Sequence, residues 1–101
     1  MNEARLSWAV HVAATSRGLF TFRLLDSRRV RGGWPDYVII GRRMIFRELK
    51  ADEGRLSRDQ SRVGELIREA GGDWAVWRPA DYNSGLIARE LDEIALEGIF
   101  A

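Results

Sequence analysis

The chain has 101 residues, 16 basic and 15 acidic, for a formal net charge of +1. That length suits one small domain with a modest core, and 46% hydrophobic with 31% charged residues is the balance of a soluble globular protein rather than a disordered one. The absence of cysteine leaves no disulfide framework, zinc knuckle or thiol nucleophile. The longest apolar stretch is too short to span a bilayer and the N-terminus lacks a signal-peptide pattern, so a cytoplasmic protein with no membrane association is expected.

Residues 3 to 17 place Leu6, Trp8, Ala9, Val12 and Ala13 at a spacing nearer 3.6 than 2 and end at Arg17-Gly18, which predicts an amphipathic helix with these five on its apolar side. His11, the only histidine, has no other metal-ligand type beside it and reads as a surface or packing residue. Leu19 to Leu24 alternates loosely, with Phe20 and Phe22 on one face, and predicts a first strand. Residues 26 to 33 form a loop with Arg28, Arg29, Arg31 and two glycines. Glycine lets a backbone approach a ligand closely and arginine grips phosphate oxygens in bidentate fashion.

The stretch from Trp34 to Lys50 carries the chemistry. Tyr37 to Ile40 and Met44 to Phe46 are two apolar runs joined by Gly41-Arg42-Arg43, a connection short enough for an antiparallel hairpin. With a three-residue connection, 40 faces 44, 38 faces 46, and Asp36 comes to lie opposite Glu48, about 5 Å away at Cβ. Strand alternation puts Glu48 and Lys50 on one face. Two carboxylates this close repel unless something positive sits between them. Magnesium suits hard oxygen ligands and keeps several waters alongside one or two protein carboxylates. Lysine can orient or deprotonate a water where guanidinium cannot, and Lys50 is the only lysine among the 16 basic residues. The plainer alternative is a strand-edge ion pair between Glu48 and Lys50, with Pro35-Asp36 as turn chemistry.

Beyond a polar connection, Ser57 and Gln60 form a capping box that opens a helix to about Ala70, with Val63, Leu66, Ile67 and Ala70 as its apolar stripe. Gln60 either completes that cap or turns its amide toward the site. Trp74 to Trp77 predicts a buried fourth strand whose tryptophans serve the core. From Ser84, a plausible N-cap, a last helix places Leu86, Ile87, Leu91, Ile94 and Ala95 on one face. The fold class is α/β: a mixed four-stranded sheet flanked by helices, in one domain over residues 1 to 101, with the helix between strands 3 and 4 as a crossover that sets strand 4 parallel to its neighbour. Charge is unevenly spread. Residues 1 to 50 carry ten basic and four acidic side chains, and residues 51 to 101 carry six and eleven. The basic half holds the candidate site, and a local basic surface recruits phosphate backbones even when the total is near neutral.

Pro35-Asp36, a gap of eleven residues, then Glu48-Leu49-Lys50, on a helix-strand-strand-strand-helix-strand order, resembles the PD-(D/E)-x-K nuclease superfamily. Glu3, Gly18-Leu19-Phe20, Asp26 to Arg29, Gly33-Trp34, Gly54-Arg55-Leu56-Ser57 with Gln60, and Trp77-Arg78-Pro79 make the chain most similar to the small stand-alone VRR-Nuc (virus-type replication-repair nuclease) domains of phages and bacteria. The resemblance covers residues 3 to about 82. It implies a restriction-endonuclease-like core and a magnesium-dependent DNA endonuclease in which manganese substitutes. Branched DNA such as a Holliday junction would be its substrate. It further implies that Asp36, Glu48 and the main-chain carbonyl of Leu49 hold the metal, with Glu3 approaching it. Lys50 would orient the attacking water, and Gln60 would belong to the site. Arg23 stands where relatives have histidine, and with Arg28, Arg29, Arg31 and Arg55 it is expected to bind DNA phosphates. A resolvase acting twice on a symmetric junction would be a homodimer, paired through the last helix and its extension, Ile94, Ile99 and Phe100. The competing expectation is a DNA- or protein-binding module that keeps the fold without turnover.

Overall fold

The computed structural model describes residues 1–23 and 32–95. Its elements in chain order are α1 (Glu3–Thr15), β1 (Phe20–Arg23), β2 (Tyr37–Ile40), β3 (Met44–Leu49), α2 (Arg58–Glu69), β4 (Asp73–Trp77), α3 (Pro79–Asn83) and α4 (Leu86–Ile94). The sheet runs β1-β2-β3-β4, antiparallel across the first two junctions and parallel between β3 and β4. This is the mixed four-stranded sheet flanked by helices that the sequence predicts, with α2 as the crossover between the parallel pair. The added element is α3. Pro79 starts it, and Asp81 closes its first turn by accepting from the Arg78 backbone N–H at 2.8 Å. Because the chain turns helical that early, Ser84 ends α3 instead of opening the last helix, and Gly85 caps α4.

One sheet face carries the core: Leu6, Val10 and Ala14 of α1 meet Tyr37, Ile39, Ile45, Leu49 and Trp77 of the strands and Ile87, Leu91 and Ile94 of α4. Burying each such large apolar side chain stabilises the fold by roughly 1.5–3 kcal/mol. The buried positions of α1 recur at intervals of four, and Trp8 and Val12, expected on its apolar side, are instead exposed. Ile94 is fully buried against its own protomer's sheet, so it offers nothing to a partner chain. Ile99 and Phe100 lie outside the described residues.

Arg47 enters the same face and is 2% exposed. Its Nη1 donates to the Asp73 backbone carbonyl at 2.8 Å and to Asp73 Oδ1 at 3.0 Å, Nη2 faces Glu90 Oε1 at 3.5 Å, and the guanidinium lies 5.1 Å from the Trp77 ring centroid. Trp77 Nε1 donates to the other Glu90 oxygen at 3.0 Å. Burial pushes Asp73 up, but the charges and hydrogen bonds of Arg47 and Arg43 outweigh it and hold the carboxyl below its usual value. The hairpin turn closes on the end of α4, where the Arg42 N–H donates to the Ile94 carbonyl at 2.7 Å. A cation at a helix C-terminus complements its dipole.

The other face carries Val38, Phe46 and Trp74, with α2 packed against β4. Of the expected α2 stripe, Leu66 and Ala70 are exposed and Val63 and Ile67 only partly covered. Gly64 instead makes the closest approach, seated on the Trp74 indole. Phe20 and Phe22 of β1 and Met44 of β3 are exposed on this face. A Cβ added at Gly64 would lie 2.5 Å from the rigid Trp74 ring. Gly64→Ala is therefore expected to destabilise the protein by about 1–3 kcal/mol through overpacking, measured by urea unfolding.

Candidate active site

Strands β2 and β3 pair Ile40 with Met44, Val38 with Phe46 and Tyr37 with Arg47. Continuing that register by one step sets Asp36 opposite Glu48, and direct bonds tie the two. The Asp36 backbone N–H donates to Glu48 Oε2 at 3.3 Å, and the Leu49 N–H donates to Asp36 Oδ2 at 2.8 Å. Gly33 makes this entry possible. Its φ is 93°, and a Cβ there would collide with the Asp59 backbone carbonyl in the first turn of α2. Trp34 then stacks edge-on against Phe46, with ring centroids 6.1 Å apart, and Pro35 is buried.

Gln60 does both things open to it. Its Oε1 accepts from the Ser57 N–H at 2.8 Å and the Gln60 N–H donates to Ser57 Oγ at 3.1 Å, completing the capping box. Its Nε2 meanwhile donates to Glu48 Oε1 at 2.7 Å. Both oxygens of Glu48 are thereby engaged, and the residue is 2% exposed. Burial pushes the Glu48 carboxyl up from 4.5, the adjacent Asp36 charge pushes it further, and Lys50 pulls back part of the shift, leaving it at about 8. Lys50 follows Glu48 by two residues, so strand alternation sets the two on one face. The Lys50 backbone is held by donation to the Trp77 carbonyl at 3.1 Å.

Arg78 is a positioning residue that the sequence reading missed. Its Nη1 donates to the carbonyls of Ala51 and Gly54, each at 2.6 Å, and of Asp52 at 3.2 Å, pinning the loop that follows Lys50. Nothing beside Arg78 in the chain signals this, because its acceptors lie more than twenty residues earlier. Arg55 is exposed in the same loop.

On the α1 side of Asp36, a cavity of about 300 Å³ is lined by Glu3, Ala4, Ser7, Arg23, Asp36 and Leu49. Glu3 and Arg23, distant in sequence from the hairpin, are thus brought to the site. Arg23 lies over the Tyr37 ring at 5.7 Å from its centroid. Arg28, Arg29 and Arg31 fall outside the described residues. Among the described residues no group of three or more His, Cys, Asp or Glu side chains gathers. A divalent cation here would take the oxygens of Asp36 and Glu48, with the Leu49 carbonyl as a main-chain candidate, and fill its shell with water and substrate, the habit of magnesium. Burial, and after it the Asp36 charge, hold the proton on Glu48, and a cation bound here would offset both. No membrane-spanning helix occurs among the described residues. Comparison of the chain with family models, with curated proteins and with solved structures finds no match in any of the three.

Because Glu48 binds its proton more tightly in the folded chain than in the unfolded one, its contribution to stability is complete below pH 4.5 and is lost as pH rises to about 8. In metal-free buffer the unfolding free energy is expected to fall across that window by an amount on the order of 3 kcal/mol. Glu48→Gln, which keeps the shape and cannot ionise, should flatten most of the fall when urea unfolding is followed against pH.

Proposed function

We propose that this chain is a metal-dependent DNA endonuclease similar to the VRR-Nuc members of the PD-(D/E)-x-K superfamily. The observation that carries the reading is the carboxylate pair of Asp36 and Glu48, set opposite each other on a hairpin with Glu48 buried, Gln60 bound to it and the chain's sole lysine next on the same face. An isolated strand-edge ion pair does not need the second carboxylate or the glutamine. Asp36, Glu48 and the Leu49 carbonyl would hold magnesium or manganese, with Glu3 facing the same cavity. When bound, that ion supplies positive charge to the scissile phosphate and acidity to water.

The chain's own groups have separate tasks. Gln60 and the Asp36 N–H keep Glu48 in one rotamer, so its oxygens are aimed before a cation or phosphate arrives. Lys50 presents an ammonium beside the pair and is suited to orienting the attacking water. Arg23 and Arg55, and in the sequence Arg28, Arg29 and Arg31, supply cations for flanking phosphates. Branched DNA is the proposed substrate class. One chain holds one such constellation, so paired cuts in a symmetric junction would require a homodimer.

Magnesium-dependent nicking of flap and four-way-junction DNA tests the reading. Lys50→Ala is expected to lower the rate by about 100-fold or more, and Asp36→Asn to abolish cleavage while leaving DNA binding in calcium largely intact. The absence of any metal-dependent product would leave a binding module, and unchanged cleavage by Asp36→Asn would remove Asp36 from the site.

A further inference from the structure

The cavity beside Asp36 does not end at Ser7. A second hollow of about 510 Å³ shares Ala4, Ser7 and Arg23 with it and continues along α1 to Trp8, His11 and Tyr37. Together they form one groove, acidic at the Asp36 end and aromatic at the other. Three features of the aromatic end are unexplained by folding. Trp8 is 68% exposed on a helix whose core contacts are made by Leu6, Val10 and Ala14. Its ring has a second aromatic ring, His11, 5.9 Å away at a 32° tilt. Ser7, 3% exposed, lines both hollows, and its buried Oγ has no hydrogen-bond partner among the described residues. A buried hydroxyl without a partner costs about 1–3 kcal/mol, which a ligand acceptor would return.

From these observations, and resting on the nuclease reading, we infer that this groove binds an unpaired nucleotide adjacent to the cleavage point, its base stacked on Trp8 and its backbone held by Arg23 and Ser7. The chemistry of the walls selects that ligand. A flat exposed indole offers stacking to any base, a guanidinium and a hydroxyl donor suit phosphate or sugar oxygens, and the volume is that of a small-ligand site. Trp8 lies five residues beyond Glu3 on α1, roughly 7.5 Å along the axis, so the stacked base sits about one or two steps from the scissile phosphate. Paired bases hide their faces in the duplex stack and cannot use such a platform. The groove therefore favours DNA with an unpaired nucleotide at the cut, as in a flap, a junction arm or a single strand.

The test is a fluorescence-anisotropy titration of the full chain, with calcium replacing magnesium, against a labelled single strand, a flap and a blunt duplex. Trp8→Ala is expected to weaken the first two about tenfold and to leave the duplex unchanged, while Trp8→Phe, which keeps a ring face, retains the affinity. Since Trp8 is exposed, circular dichroism of the variants should match wild type. Equal loss on all three DNAs, or no loss on any, overturns the inference. If wild type cleaves DNA and Trp8→Ala binds as wild type does, only the groove is disproved. If wild type binds none of the three, the nuclease reading falls with it.

Discussion

Two carboxyl groups forced together across a hairpin are the constraint on which the rest of this structure depends. Asp36 and Glu48 would separate or face solvent if the chain allowed it, because burial and the Asp36 charge both raise the cost of ionising Glu48. They are held by β3, which pairs with a strand on both sides, and by donors aimed at the carboxyl oxygens: the Asp36 and Leu49 backbone amides and the Gln60 side chain. Each of those donors has a second structural duty. The Leu49 side chain is in the core, Gln60 closes the N-terminus of α2, and Asp36 follows the buried Pro35. The site cannot relax without undoing a helix cap or a strand register.

The charge asymmetry between the halves of the chain acquires a structural meaning. Arginines of the first half meet acids of the second: Arg17 with Asp92, Arg43 with Asp73 and Glu93, and Arg47 with Asp73 and Glu90. Most of these pairs are exposed and contribute little each. Arg47 differs, because losing one partner would leave a buried cation uncompensated at a cost of about 3–5 kcal/mol. The pairs gather on the α4 side and the hairpin turn, while Arg23 stands at the opposite end of β1 against the site cavity. Part of the basic character of residues 1 to 50 is thus used to hold α4 and the hairpin to the sheet, and cannot be counted as surface for phosphate.

Helix faces were the least legible feature, and for a specific reason. In α1, Leu6, Val10 and Ala14 form one stripe while Trp8, Ala9 and Val12 make another nearly as apolar, so periodicity alone does not say which faces the sheet. In α2 the contact that matters is made by a residue with no side chain, Gly64, whose fit against Trp74 exists only once the strand is in place. The half-covered stripe of α2 follows from that fit, since the helix rests on the sheet at Gly64 and Val63 and Ile67 flank the contact.

The sequence by itself determined the strands, their order of appearance and the opposition of Asp36 to Glu48, because alternation at period two and a three-residue turn leave one register available. It also determined the cap of α2, since Ser57 and Gln60 act within one turn. Only the tertiary structure decided that Gln60 serves cap and carboxylate together, that Arg78 pins the loop after Lys50, that Arg47 is buried, and that Glu3 and Arg23 reach one cavity with Asp36. Those are contacts between segments far apart along the chain. Their existence depends on the angle at which helices cross the sheet, and side-chain volumes summed over the whole core set that angle, where no local pattern records it.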